Sequence, residues 1–240
     1  QLIQMDPTYQ ERIFPYIGGE ELLDSPTHAF HRYVIDFNDM SFEEASRWPN
    51  LIQLLLTKVK PSRDLQKRKA LRERWWQFAE RRPALRTATR ELNRILVHPF
   101  VATHLAFVFM PTSVIIAGPQ QVFSLSGFAQ FCVLQSRVHE IWARFFGSSM
   151  EDRLRYASSD CFETFPLPPG FYEDPELERC GQEYYEFRSS IMVRNKQGLT
   201  ATYNRFHDPL EMSAEIKELR LLHEKMDRLV LDSYGWKDLK

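Results

Sequence analysis

The spacing of apolar residues along this chain separates a front part of mixed pattern from a back part of amphipathic helix. RYVIDFN at 32–38 alternates and is rich in β-formers, which predicts a strand. SFEE at 41–44 has the form of a capping box, with Ser41 as cap and Glu44 three residues on. A short helix is expected there, interrupted near Pro49, resumed through NLIQLLLTKVK and stopped by Pro61. The next segment favours helix by composition but has little apolar stripe before Trp75 and Trp76. From Pro83 a helix is expected, with Leu85, Ala88, Leu92, Ile95 and Leu96 inward and Arg86, Arg90 and Arg94 on another face.

HLAFVFM, SVIIA and QVFSL read as short strands of a small sheet, separated by Pro-Thr and Gly-Pro turns. A helix capped by Ser124 or Ser126 should follow and run through Phe146, with Phe128, Phe131, Leu134, Val138, Ile141 or Trp142, and Phe145 facing in, and Gly147 as its stop. After FPLPPG, Pro175 opens a helix with the stripe Leu177, Cys180, Tyr184, Phe187 and Ile191. Gly198 and TATYNRFHDP are expected to form a loop. Ser213 should cap a last helix with Ile216, Leu219, Leu222, Met226, Leu229 and Val230 inward. The pattern predicts an α+β fold: a small mixed or antiparallel sheet flanked by helices, then a C-terminal helical hairpin. The expected boundary separates 1–170 from 171–240.

Composition changes this picture little. At 240 residues, 43% hydrophobic and 26% charged, the chain is ordinary for a globular protein with a real core. No apolar stretch reaches the ~18 residues of a membrane span; HLAFVFMPTSVIIAG comes nearest and is split by Pro111 and Ser113. The first residue is Gln and no signal pattern follows, so the chain is expected to be cut from a longer protein. Cys132, Cys161 and Cys180 are odd in number and widely spaced, which fits a reducing cytoplasm better than a disulfide framework or a zinc site.

Charge changes it more. The net charge of −1 hides a strong asymmetry. Residues 58–100 carry 13 basic and 4 acidic side chains, whereas residues 1–57 carry 3 basic and 9 acidic ones. A polyanion senses the local field within about a Debye length, ~8–10 Å. The basic block is either a solvated helical face or a surface for a partner.

Catalytic patterns are missing. There is no Gly-rich phosphate loop and no G-x-S-x-G elbow. His28 and His31 lack a Cys or carboxylate at ligand spacing. Asp208, Glu215 and Lys217 are the residue types of a metal-dependent nuclease, but Glu215 and Lys217 fall on an expected helix, where an ordinary surface pair is the simpler reading. No catalytic residue and no metal ligand is expected. FFGSSMEDRLRY, by contrast, places Glu151, Arg153 and Arg155 at alternate positions. On an extended strand those side chains point to one side. Arginine can read guanine O6 and N7 in a bidentate pair, and glutamate can accept from cytosine N4. Two readings fit the spacing: base recognition, or an internal Glu–Arg pair that ties down a loop.

YIGGEEL, HRYVIDF, KVKPSRD, WWQFAERRPAL, FCVLQSRVHEIWARFFGSSMEDRLRY, FETFPLPPG and GLTATYNRFHDP closely resemble the C-terminal region of large bacterial DNA methyltransferases. These are the single-chain type II restriction–modification enzymes of the IIG/IIL class and related N6-adenine methylases. The resemblance runs from about residue 12 to residue 236. It implies that 1–170 is a DNA target recognition domain and 171–240 a C-terminal helical segment, serving an S-adenosylmethionine-dependent adenine-N6 methyltransferase of restriction or phage defence. The family's Asn-Pro-Pro-Tyr motif, Gly-rich cofactor motif and nuclease motif do not occur here. This segment is therefore expected neither to methylate, nor to bind S-adenosylmethionine, nor to cut.

The resemblance further implies that the E-x-R-x-R-Y segment, here Glu151, Arg153, Arg155 and Tyr156, contacts bases, with Arg155 open to a structural role. Thr103, His104 and Gln120, in loops around the small sheet, are weaker candidates for base reading. Lys58, Lys60, Arg68, Arg72 and Arg74 are the candidates for phosphate contact. The expected partners are double-stranded DNA and the methyltransferase catalytic domain of the same polypeptide, with no membrane and a cytoplasmic location. A protein-docking module of the same enzyme, without direct base reading, is the alternative, and RNA binding a third reading.

Overall fold

The computed structural model describes residues 2–150, 153–236 and 238. In chain order the elements are α1 (Leu2–Met5), β1 (Ile13–Ile17), α2 (Gly19–Leu23), β2 (Arg32–Ile35), α3 (Phe42–Ala45), α4 (Pro49–Lys58), α5 (Lys60–Asp64), α6 (Lys69–Glu73) and α7 (Pro83–Thr89). There follow β3 (Arg94–His98), β4 (Val101–Ala102), β5 (Val108–Pro111), β6 (Ile115–Ile116), β7 (Gln121–Phe123), α8 (Phe128–Gln135), α9 (Arg137–Phe146), β8 (Ser148–Met150) and β9 (Arg153–Arg155). The chain then turns helical through α10 (Ser158–Cys161), α11 (Pro175–Asn195), α12 (Leu199–His207) and α13 (Ala214–Ser233). Three small three-stranded sheets have the orders β2–β1–β6, β5–β3–β7 and β4–β9–β8. The fold is thus mixed, with small sheets among helices and a helical C-terminal region.

The chain forms two compact units that interleave along the sequence. The first comprises residues up to Tyr16, His31–Arg90 and Ser113–Ile115. Its core gathers Tyr9, Phe37, Ala45, Trp48 and Leu51, with Ile13, Ile35, Ile52 and Trp76 packed against it. Ser41 and Glu44 form the reciprocal cap that opens α3. Both tryptophans of the basic segment are used for packing. Trp75 is buried and meets Trp76 edge-on at 6.0 Å, and Trp76 Nε1 donates to the Met40 carbonyl at 2.9 Å.

The second unit holds Ile17–Phe30, Glu91–Thr112 and everything from Ile116 onward. Strand β3 is central in its sheet, pairing Leu96 with Phe109 of β5 and with Phe123 of β7. Helix α11 packs on α8 and α13. Between these layers lies Arg188, only 1% exposed. Its Nη2 donates to the Phe107 carbonyl at 2.7 Å and its Nη1 to the Tyr203 hydroxyl at 3.0 Å and Gln135 Oε1 at 3.3 Å. Gln135 Nε2 in turn donates to the Leu105 carbonyl at 2.8 Å, and its Oε1 accepts the Phe107 N–H at 2.9 Å. Four aromatic rings surround the guanidinium: Phe131, Tyr184, Tyr185 and Tyr203.

Several expectations are corrected. The helix opened by Pro83 ends at Thr89; Ile95 and Leu96 lie in β3, because a buried strand paired on both edges satisfies an apolar run that a helix would fit equally well by period alone. The long helix to Phe146 is two helices. Ser136 is extended, its Oγ accepts from the His139 N–H, and the break restarts the helical phase. His139 and Ala143 therefore face in, while Ile141 and Phe145 stand 64% and 79% exposed. Residues expected to form a loop make α12, whose Leu199, Thr202, Tyr203 and Phe206 are buried at helical spacing. Pro61 does not end a helix but occupies the first turn of α5, the position where its missing N–H costs nothing. The expected C-terminal hairpin accordingly has a third helix between its arms.

Arg188→Ala should lower the unfolding free energy by about 3 kcal/mol or more, since it opens a cavity and strips partners from buried acceptors. Arg188→Met, which keeps volume and removes the charge, should cost less. Urea unfolding of the two variants checks the order.

Candidate nucleic-acid interface

The candidate site is the sheet β4–β9–β8. Helix α9 hands over to β8 at Gly147, where a side chain would collide with the Ala143 carbonyl and press on Leu154 and Cys161. That close approach brings β8 alongside β9, pairing Ser148 with Arg155, Ser149 with Leu154 and Met150 with Arg153. On the other edge Val101 pairs with Arg155 and Ala102 with Leu154. The pairing ends there, and the next residue, Thr103, begins a bend. Alternation sorts the side chains: Leu154 and Ala102 are buried, while Arg153, Arg155, Ser148 and Thr103 are exposed. Two arginines thus stand on alternate rungs, on one exposed side.

The sequence-predicted residues fare differently. Glu151 lies outside the described residues. Arg155 rests its guanidinium over the Phe100 ring at 5.1 Å, a contact that orients it without consuming its donors. Thr103 is exposed at a bend, and its carbonyl accepts from Arg144 Nη2 at 3.1 Å. His104, next along, is half-buried and bonded through Nε2 to Asn204 Oδ1 at 2.7 Å. Gln120 belongs to the turn before β7, in another sheet, with its Oε1 buried and without a partner. Sequence reasoning overlooked Val101 and Ser148, which flank Arg155 in its rung; only the strand register brings them there.

Beneath the face lies a buried aromatic layer. Tyr156, which follows the ladder, is fully buried and its hydroxyl sits 3.1 Å from His139 Nε2. His139 Nδ1 approaches the Leu134 carbonyl at 2.6 Å, so Nδ1 carries the proton and Nε2 accepts from Tyr156. The His98 ring packs at a tilt against Tyr156 and Phe107, centroids 4.7 and 4.8 Å apart, and neither of its nitrogens has a hydrogen-bond partner among the described residues. Burial pushes the His98 pKa down to about 3 and that of His139 down to about 4. Burial also raises the Tyr156 pKa, so its hydroxyl keeps its proton.

The basic segment lies in the first unit as far as Arg90, and part of its charge is already paired. Lys60 bonds Asp64 at 2.6 Å, Arg68 bonds Glu80 at 3.0 Å, and Lys69 lies 3.4 Å from Glu73. Arg72 Nη1 is taken by the carbonyls of Gln66 and Lys67. Among the described residues, Lys58, Lys67 and Arg74 are exposed and have no counter-ion. Arg86 pairs with buried Asp36 at 2.6 Å, and Arg94 is sandwiched between Phe109 and Phe128 at 4.0 and 4.2 Å, so both hold the fold.

A family model described as "MmeI, target recognition domain" matches residues 1–169. The chain belongs to the MmeI target recognition domain family. Its fold is also similar to that of a solved type IIL restriction–modification enzyme, MmeI, determined in complex with DNA. That likeness has a TM-score of 0.68 at 20% sequence identity and covers 99% of this chain but 30% of the other. No curated protein matches the chain. The MmeI-type family match ends at residue 169, while the fold likeness continues through α11, α12 and α13.

The two buried histidines set a pH dependence with a definite sign. They are neutral in the fold, whereas the unfolded chain protonates them near the ordinary value of 6.5. Their stability contribution is complete above about pH 6.5 and is lost as pH falls toward about 4 for His139 and about 3 for His98, at up to ~1.4 kcal/mol per pH unit for each histidine. His98→Phe should keep the ring packing and flatten this slope. Chemical denaturation at pH 5 and pH 7 checks it; equal stability at both would contradict the assignment of two neutral buried imidazoles.

Proposed function

We propose that this chain reads the base sequence of duplex DNA on behalf of a restriction–modification enzyme. The observation that carries the reading is the exposed arginine pair of β9, Arg153 and Arg155, on alternate rungs of a sheet whose other edge strand, β4, pairs Val101 with Arg155. A guanidinium matches the O6 and N7 acceptors of guanine in the major groove, and each good bidentate pair is worth about 1–3 kcal/mol of discrimination. Family membership in the target recognition domains agrees with that chemistry. Glu151, two residues before Arg153, is the natural acceptor for a cytosine amine.

The basic segment takes the other half of the work, holding phosphates irrespective of sequence. Lys58, Lys67 and Arg74 are ready for this; Lys60, Arg68 and Lys69 exchange a surface partner for a phosphate at little cost, because exposed ion pairs contribute only ~0–1 kcal/mol. The methyl transfer to adenine N6, the extrusion of that adenine from the stack and the binding of S-adenosylmethionine are assigned to a catalytic domain of the same polypeptide. This chain sets which adenine arrives there.

A second reading, a docking module, draws on the exposed apolar face of α9, where Ile141, Phe145 and Phe146 are open. Salt separates the two. DNA reading predicts a steep fall of affinity with ionic strength, reduced by roughly 0.9 in log–log slope for each phosphate contact removed at Lys58, Lys67 or Arg74. Arg153→Ala should leave that slope nearly intact and narrow the gap between preferred and altered duplexes. Fluorescence anisotropy against both duplexes across salt concentrations checks this; the same loss from Arg153→Ala and Lys58→Ala on every sequence contradicts the division of labour.

A further inference from the structure

Thr103 and His104 occupy the bend between β4 and the buried stretch Leu105–Phe107, and helices hold that bend from two sides. Arg144 of α9 donates to the Thr103 carbonyl and is itself paired with Glu140 at 2.8 Å. Helix α12 supplies the other side. Asn204 Oδ1 accepts from His104 Nε2, and the His207 ring lies flat on the His104 ring, centroids 4.8 Å apart and planes 14° apart. Tyr203 extends the stack at 6.0 Å. Helix α12 is itself firmly seated. The Tyr203 hydroxyl is bonded by Arg188 and lies 2.9 Å from that of Tyr184, and Gly198 lets the start of α12 press against the backbone of Leu23 and Asp24.

We infer that α12 is a specificity element. Asn204 and His207 fix His104, and through it Thr103 and the end of β4, whose Ala102 pairs with Leu154 beside Arg153, so that residues beyond the matched recognition domain decide how strictly one base is accepted. This rests on the DNA-reading function proposed above. The physical reason is geometric. A donor discriminates between base edges only when it is held within about 0.5 Å and 10–20° of the productive position, by neighbours that are themselves locked. The bend is a short connection with an exposed threonine, and the hydrogen bond and ring stack from α12 remove its freedom. Asn204 and His207 are positioning residues; neither needs to touch DNA. Without them Arg153 and Thr103 would meet several base edges nearly as well as the right one.

The test uses the full-length protein and selection of binding sites from a randomised duplex pool, with thermal unfolding in parallel. Asn204→Ala and His207→Ala are expected to lower the ratio of preferred to next-preferred base at one site position about tenfold, the scale of one bidentate pair. Binding to non-specific duplex should stay unchanged. Asn204→Asp, which keeps the acceptor, and His207→Phe, which keeps the stack, should restore the ratio. Where Asn204→Ala also lowers thermal stability, the His207 pair reads the same ratio without disturbing the hydrogen bond. An unchanged ratio in both alanine variants, or an equal loss on all sequences, overturns the inference. Arg153→Ala in the same selection separates the levels. A shift there with none from Asn204 or His207 defeats only the role of α12, while no shift anywhere defeats base reading as well.

Discussion

The second unit depends on one buried cation. Among the described residues Arg188 has no carboxylate beside it; its charge is spread over a carbonyl, an amide oxygen, a phenol and the faces of four rings. Burying a guanidinium this way is tolerable only if nearly every donor is met, and here only Nε goes without a partner. The constraint is strict, and its consequence is positional. Arg188 and Gln135 together take the Leu105 carbonyl and both backbone groups of Phe107, three polar groups of an irregular stretch that has no strand neighbour there to bond them. Helices α8 and α11 thereby dictate where the chain runs immediately after Thr103 and His104.

From that anchor the recognition face follows by covalent continuity and register. Strand β4 ends at Ala102, is paired to β9, and leads directly into the clamped stretch. Strand β9 is held from below by Leu154 and by Tyr156 on His139. An arginine on such a strand loses little further freedom when it meets a base, which is what discrimination among similar acceptors requires. The basic segment obeys a different logic. Lys60, Arg68 and Lys69 pair with carboxylates four to twelve positions away and the rest of its charge is left over, which suits the sequence-independent phosphate holding proposed for it.

Much of this was legible in the residues, and the failures have physical causes. The alternation of Arg153 and Arg155 follows from the sequence because a strand's period needs no tertiary information: Leu154 turns in and its two neighbours turn out. The capping box at Ser41 and the proline start at Pro175 were equally local. Ile95 and Leu96 misled because a short apolar run suits helix and buried strand alike. Phe145 reads as core by period alone, but Ser136, which caps α9, resets the phase of the helix. Helix α12 was hidden by Gly198 and by its Thr and Asn content, although Leu199, Thr202, Tyr203 and Phe206 carry the helical period. Arg188 looked like one more charged position on an amphipathic helix. Nothing local distinguishes a cation that will be buried, since the carbonyl it serves lies 81 residues away. The partners of His104 on α12 were out of reach for the same reason.

The central claim is that Arg153 chooses a base. Sequencing of modified bases in DNA from cells expressing the full-length protein tests it most directly, with Arg153 intact and with Arg153 exchanged for lysine, which keeps the charge and loses the bidentate fork. One modified motif is expected for the intact protein and a motif altered or relaxed at a single position for the variant. An identical motif in both would contradict it.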